Sequence, residues 1–112
     1  KKNSFIIFYM EFIENSSFTK WICENITDSS YNQLQIFLFE NPEAGKVIKG
    51  CNGLRKIRWK LANQGKRGSI RIIYYYKSAT SQIFFIFAYS KKEQGDLTSQ
   101  QRKVLSVLCK EL

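Results

Sequence analysis

The sequence predicts an α+β fold: a strand, two helices, a small antiparallel sheet of three to five strands in all, and a closing helix. Three observations carry this. Residues 53–76, GLRKIRWKLANQGKRGSIRIIYYY, alternate apolar and polar side chains with period two on either side of a glycine-marked basic loop, the pattern of a hairpin. Apolar residues at Phe18, Trp21, Ile22 and Ile26, then at Tyr31, Leu34 and Leu38, recur at helical spacing. Near the end, Thr98 and Gln101 form a capping-box signature ahead of an apolar row.

Residues 5–14, FIIFYMEFIE, are aromatic and β-branched and read as the first strand, with Asn15, Ser16 or Ser17 capping the helix that follows. Trp21 belongs to the apolar face of that helix and reads as core rather than as a platform for a base. Thr27 to Ser30 supply a second cap, and Asn41 and Pro42 stop the second helix, because proline biases the residue before it away from helical angles. Val47 and Ile48 form a short strand before the turn at residues 50–53. In the hairpin, Lys56, Arg58 and Lys60 share one face, and Ile57, Trp59 and Leu61 the other. In the returning strand Ile70, Ile72, Tyr74 and Tyr76 oppose Arg71, Ile73 and Tyr75, which brings Arg71 beside Lys56 and Arg58. Residues 83–91 form a third long strand, apolar enough to be interior, with Tyr89 and Lys91 on one face at its end. Val104, Leu105, Leu108 and Leu112 mark the expected inner face of the last helix.

A chain of 112 residues with 44% hydrophobic and 15% aromatic content is one domain with one core, which excludes a disordered chain. Its net charge of +9 is unevenly distributed. Residues 1–43 carry three basic and six acidic side chains, and residues 93–112 three of each; residues 44–92 hold twelve Lys or Arg and no Asp or Glu. A cationic block of that purity points to a polyanionic partner, whose phosphates release counterions when neutralised. The cations lie on strands and loops rather than on a helix, which argues against a helix-reading DNA-binding regulator.

Cys23, Cys51 and Cys109 have no CxxC spacing and the chain has no histidine, so neither a zinc site nor any metal cofactor is expected, and the compartment reads as reducing. Cys23 and Cys109 fall at helical positions as small hydrophobes, and Cys51 lies in a glycine loop where exposure is expected. No apolar run approaches the roughly 20 residues of a membrane span, and no secretory leader follows Lys1 and Lys2, so a cytoplasmic location is expected. Met10 is a candidate natural start, with residues 1–9 upstream of the single 1–112 domain.

The segments GLRKIRW (53–59), GKRGSIRIIYYY (65–76) and YSKKEQGDLTSQQ (89–101), preceded by NPEAGKVIKG (41–50), resemble the HigB-type branch of the RelE/ParE toxin superfamily. Cys51 with Asn52, Ser69 and Lys92 stand where that pattern favours glycine or asparagine. The resemblance implies a bacterial type II toxin with a RelE-like fold that cleaves messenger RNA in the ribosomal A site and is silenced by a cognate antitoxin. It places the ribonuclease site on Lys56, Arg58, Arg71 and Lys91, with Arg55, Lys66, Arg67, Tyr89 and Lys92 as RNA-binding residues.

Those residue types suit the chemistry. Cleaving RNA by transesterification requires removal of the 2′-hydroxyl proton, neutralisation of the transition state and protonation of the leaving 5′-oxygen. Without histidine, a lysine crowded by other cations is the candidate base, and Arg58 and Arg71 are the candidate phosphate clamp, since guanidinium groups grip phosphate bidentately. Lys66 and Arg67, on the loop, suit phosphate contacts, and Tyr89 suits base stacking, proton relay or a purely structural role. No acidic residue lies between Glu43 and Glu93, so the cationic face is expected to lack carboxylates and magnesium. The alternative is a non-enzymatic module of the same fold, either a gyrase poison or an RNA-docking protein, which would not need three cations clustered on one face.

Overall fold

A computed structural model describes residues 9–61 and 68–112. The elements run β1 (Glu11–Glu14), α1 (Ser16–Asn25), α2 (Asp28–Glu40), β2 (Lys46–Val47), β3 (Arg55–Lys60), β4 (Ser69–Lys77), β5 (Gln82–Ser90) and α3 (Ser99–Lys110). They form one five-stranded sheet in the order β1-β5-β4-β3-β2. The expected meander is present in β2 to β5, all antiparallel, but β1 pairs with β5 in parallel, with Phe12 opposite Ile83 and Glu14 opposite Phe85. The sheet is therefore mixed. Side-chain alternation reports which face a residue takes and is silent on strand direction. Here α1 and α2 carry the chain from β1 to β2 at the opposite edge, and the three reversals from β2 to β5 bring β5 back beside β1 in the same direction.

The caps explain where the helices begin. Asn15 Oδ1 accepts the backbone N–H of Phe18, Thr27 caps α2 through the N–H of Ser30, and Thr98 and Gln101 form the reciprocal capping box of α3. Asn15 also docks α1 on the sheet. Between Ile73 and Tyr74 of β4 the register against β5 shifts by one residue, leaving Ile86 as a bulge, and Asn15 Nδ2 donates to the Ile86 carbonyl at 2.8 Å.

Each face of the sheet has its own core. Under α1 and α2 lie Ile57, Ile70, Ile72, Tyr74, Ile83, Phe85 and Ala88, with Phe18, Ile22, Leu34 and Leu38 from the helices. The Phe18 and Phe85 rings stack there at 4.8 Å. Trp21 packs at the margin of this core, as the helical spacing indicates, and donates to Glu93. Under α3 lie Leu54, Ile73, Ile86, Tyr89 and Leu97, with Leu105 and Cys109 from the helix itself. The inner row of α3 is thus Leu105 and Cys109, whereas Val104 and Leu108 are exposed, contrary to the apolar row expected from leucine and valine. The row runs at a spacing of four, and the small buried Cys109 lets the helix approach closely enough to donate Sγ–H to the Asn52 carbonyl. Cys51 is buried beside it rather than exposed, and Cys23 is exposed rather than packed.

The turn that leads into β3 fits its residues. Gly50, Asn52 and Gly53 have φ of 74°, 56° and 92°, so Asn52 occupies a left-handed position that asparagine tolerates better than most residues. Its side chain donates to the Ser106 carbonyl and ties the turn to α3.

Candidate nucleic-acid interface

The site grows from the register of β3 against β4, in which Arg58 stands directly opposite Arg71. The Leu61 N–H bonds inward to Gly68, so by alternation Arg58 and Lys60 direct their own backbone groups outward, and the Arg58–Arg71 pair is of the non-hydrogen-bonded kind, with its side chains closest. Like charges in that position destabilise a sheet. No described carboxylate pairs with either arginine. Lys56 precedes Arg58 by two residues on the same face, Lys60 follows it opposite Ser69, and Tyr89 of β5 is opposite Arg71.

The packing of α3 divides this face. The helix and the Leu97 turn cover Ile73, Ile86 and Tyr89, while Arg58 and Lys60 stay exposed and Arg71 is half-buried. Beyond β2, which pairs only with Arg55 and Lys56, the outer edge of β3 carries no further strand among the described residues. A cleft of about 570 Å³ lies along that edge, lined by Lys46, Lys56, Arg58 and Arg71 together with Phe37 and Trp59.

Lys56, Arg58 and Arg71 therefore come together as expected. Lys91 and Lys92 are exposed in the turn directly after β5, and because Ser90 pairs with Ile70 they emerge at the same end of the sheet as Lys60. Arg55 does not join them. It lies on the α2 side, where Nη1 donates to the carbonyls of Glu43 and Gly45 at 3.0 and 2.8 Å, so it serves the turn before β2. Lys66 and Arg67 lie outside the described residues. Tyr89 is 1% exposed, which leaves its ring unavailable to a base in this conformation.

Sequence reasoning missed Asp96 and Arg102. The expectation of a face without carboxylates is corrected here, because the turn before α3 carries Asp96 back over the sheet. Its Oδ1 pairs with Lys56 Nζ at 3.2 Å and accepts the Leu97 N–H at 2.7 Å, and its Oδ2 pairs with Arg102 Nη2 at 3.1 Å. The Leu97 N–H and then Lys56 hold the Asp96 carboxyl below the usual carboxylate range. Burial pushes the Tyr89 phenol up; the Asp96 carboxylate adds to this, and Arg71 and Arg102 oppose it. The Tyr89 hydroxyl and Arg71 Nη1 are buried without a hydrogen-bond partner among the described residues. The only available signal was positional: Asp96 stands two residues before a recognised helix cap, at the end of the sheet where the cations gather. Among the described residues no cluster of His, Cys, Asp or Glu is arranged to hold a metal, and no helix is long and apolar enough to cross a membrane.

The family described as "RelE toxin of RelE / RelB toxin-antitoxin system" matches residues 10–112. The chain belongs to the RelE toxin family. Its fold agrees. The free form of a double arginine-to-alanine mutant of the E. coli toxin RelE superposes with a TM-score of 0.56 at 16% identity, covering 88% of this chain and 95% of that one. The same mutant in complex with an antitoxin RelBc peptide gives 0.50 at 18% identity, covering 81% and 87%. Within the RelE family frame, the Lys56–Arg58–Arg71 face lies on the side of the sheet that carries the closing helix α3.

Proposed function

We propose that this RelE-family toxin is a ribosome-dependent messenger RNA endoribonuclease of the HigB-type branch, held inactive by a cognate antitoxin. The branch assignment rests on the three sequence motifs, and the antitoxin on the family's description and the peptide complex of the RelE relative. The observation that supports the activity is the directly opposed Arg58–Arg71 pair, a like-charge contact that a bound phosphate would turn from a liability into a clamp.

In this reading the arginines grip the nonbridging oxygens of the scissile phosphate and stabilise the charge of the phosphorane-like transition state. The substrate's 2′-oxygen, already adjacent to phosphorus, forms the new P–O bond while the bond to the 5′-oxygen breaks, leaving a 2′,3′-cyclic phosphate and a 5′-hydroxyl. Lys56, paired with Asp96, does not sit among like charges alone and is cast as donor to the departing 5′-oxygen. Lys91, without an acidic partner among the described residues, is the candidate to take the 2′ proton. The ribosome supplies the orientation of the messenger strand, and the exposed Lys92, together with Lys66 and Arg67, the phosphate contacts that seat it.

The test is induced expression of Arg58→Ala and Arg71→Ala, with mapping of messenger ends on isolated ribosomes. Growth arrest and cleavage should both vanish, and a 2′-deoxy residue at the cut position should block the parent. Full toxicity of both variants at equal protein level, or normal cleavage of the deoxy substrate, refutes the reading.

A further inference from the structure

Asp96 is the single carboxylate that pairs with the cationic face among the described residues, and it is held unusually fully. An ammonium and a backbone N–H share one oxygen and a guanidinium takes the other, which is the donor set that would grip two nonbridging oxygens of a phosphodiester. Two further donors, Arg71 Nη1 and the hydroxyl of the fully buried Tyr89, lie on the same face without partners among the described residues. Buried donors are rarely left unpaired; the Asp96 carboxylate acts on the Tyr89 phenol, yet no acceptor stands at hydrogen-bond distance from that hydroxyl among the described residues, so the clasp is incompletely matched to the donors around it.

We propose that Asp96 is an internal stand-in for phosphate: Lys56, Arg102, Arg71 and Tyr89 form a second anion subsite beside the Arg58–Arg71 clamp, and an RNA phosphodiester displaces Asp96 from it. The proposal rests on the reading of this face as an RNA site. Lys56 and Arg58 are two residues apart on one strand, about 6.4–6.8 Å along β3, a step comparable to that between neighbouring phosphates of a single strand. The two subsites thus take consecutive phosphates. Arg102, which the sequence did not nominate, becomes an RNA-binding residue contributed by α3.

The fold allows the exchange. Both ion pairs of Asp96 are partly exposed, with its side chain 51% accessible, and pairs in that setting are weak enough to be replaced. Leu97 stays in the core with Leu105 and Cys109, and the Asn52 contacts hold α3, so the exchange needs only the exposed Asp96 side chain to swing away. Displacement also uncovers Tyr89 and Arg71, whose donors then meet the incoming phosphate.

The test needs no ribosome and no cleavage. Binding of a short 2′-deoxy-substituted, uncleavable oligoribonucleotide to the full chain is measured by fluorescence anisotropy over a salt series. The proteins are the parent, Asp96→Asn, Arg102→Gln and Glu111→Gln, the last making the same charge change as Asp96→Asn at the far end of α3. Asparagine keeps an acceptor for the Leu97 N–H. Asp96→Asn should bind about three- to tenfold tighter, because no carboxylate has to be displaced, with a salt slope close to the parent's since the same phosphates are neutralised. Arg102→Gln should bind about three- to tenfold weaker, and Glu111→Gln should stay within about twofold of the parent. Tightening by Asp96→Asn no greater than that of Glu111→Gln, or any weakening, overturns the proposal, as does an Arg102→Gln variant that binds like the parent. Because binding alone is read, absence of ribosomal cleavage would sink the proposed reaction and leave this result standing.

Discussion

The Arg58–Arg71 pairing predicts that removing one arginine of the proposed clamp stabilises the protein. Arg71→Met keeps the apolar stem against the sheet but removes one member of a directly opposed like-charge pair, a relief of about 0.2–1 kcal/mol. It also removes a buried N–H without a partner among the described residues, a group whose burial costs about 1–3 kcal/mol when fully enforced. Arg71 is only half-buried, so the lower end of both ranges applies, for a net gain of about 1 kcal/mol. For a domain of this size that corresponds to a melting temperature higher by about 4 °C. Urea denaturation at low and high salt checks it. The gain should shrink at high salt, where the charge part is screened, and keep the part due to the buried N–H. Growth arrest by the same variant should be lost. A variant less stable than the parent by more than about 0.5 kcal/mol at low salt would show that Arg71 is a structural residue, and the strained-clamp reasoning would fail.

A methyl group at Gly45 would stand 2.7 Å from Tyr74 Cε1, and the buried Tyr74 hydroxyl both donates to Pro42 and accepts from Gly45, so Gly45→Ala should cost about 1–3 kcal/mol in urea denaturation. Asp96 has a depressed carboxyl pKa, so its contribution to stability is present above the unfolded value of about 3.9 and is lost as pH falls through the lower folded value. The urea midpoints of the parent and Asp96→Asn should therefore converge as pH is lowered from about 6 to 2, and a constant gap would refute the clasp as drawn. Ribosome binding by the parent should fall linearly with log salt in sedimentation assays, and a flat response would point to an apolar docking surface instead.

The sheet was legible where period-two alternation operates. Ile57, Trp59, Ile70 and Ile72 identify the face that packs on the helices, and once those are fixed Lys56, Arg58 and Arg71 must share the other. The caps were legible because Asn15, Thr27 and Thr98 each satisfy an N–H three residues on, a local requirement. What escaped depends on contacts between distant segments. Arg55 alternates away from Lys56, yet its motif neighbours suggested a common role, and only the fold shows Glu43 and Gly45 claiming its guanidinium. The parallel pairing of β1 and the inner row of α3 rest on how a crossover closes and how near a helix can lie when Cys109 is its buried contact.

Asp96 is the most instructive of these, because counting charge along the chain gave the wrong answer about charge in space. Residues 93–112 are neutral in sum, but their acids are committed individually. Glu93 accepts from Trp21 and the Ser90 N–H, and Asp96 from Lys56, Arg102 and the Leu97 N–H. The cationic face is consequently neutralised at its covered end, by Lys56, and left uncompensated at its open end, by Arg58 and Lys60. In the proposed reading a polyanion meets the uncompensated Arg58–Arg71 pair first and the clasped Lys56 second. Order of engagement is therefore built into the register of β3, two residues at a time, and follows from the position of one carboxylate before one helix cap.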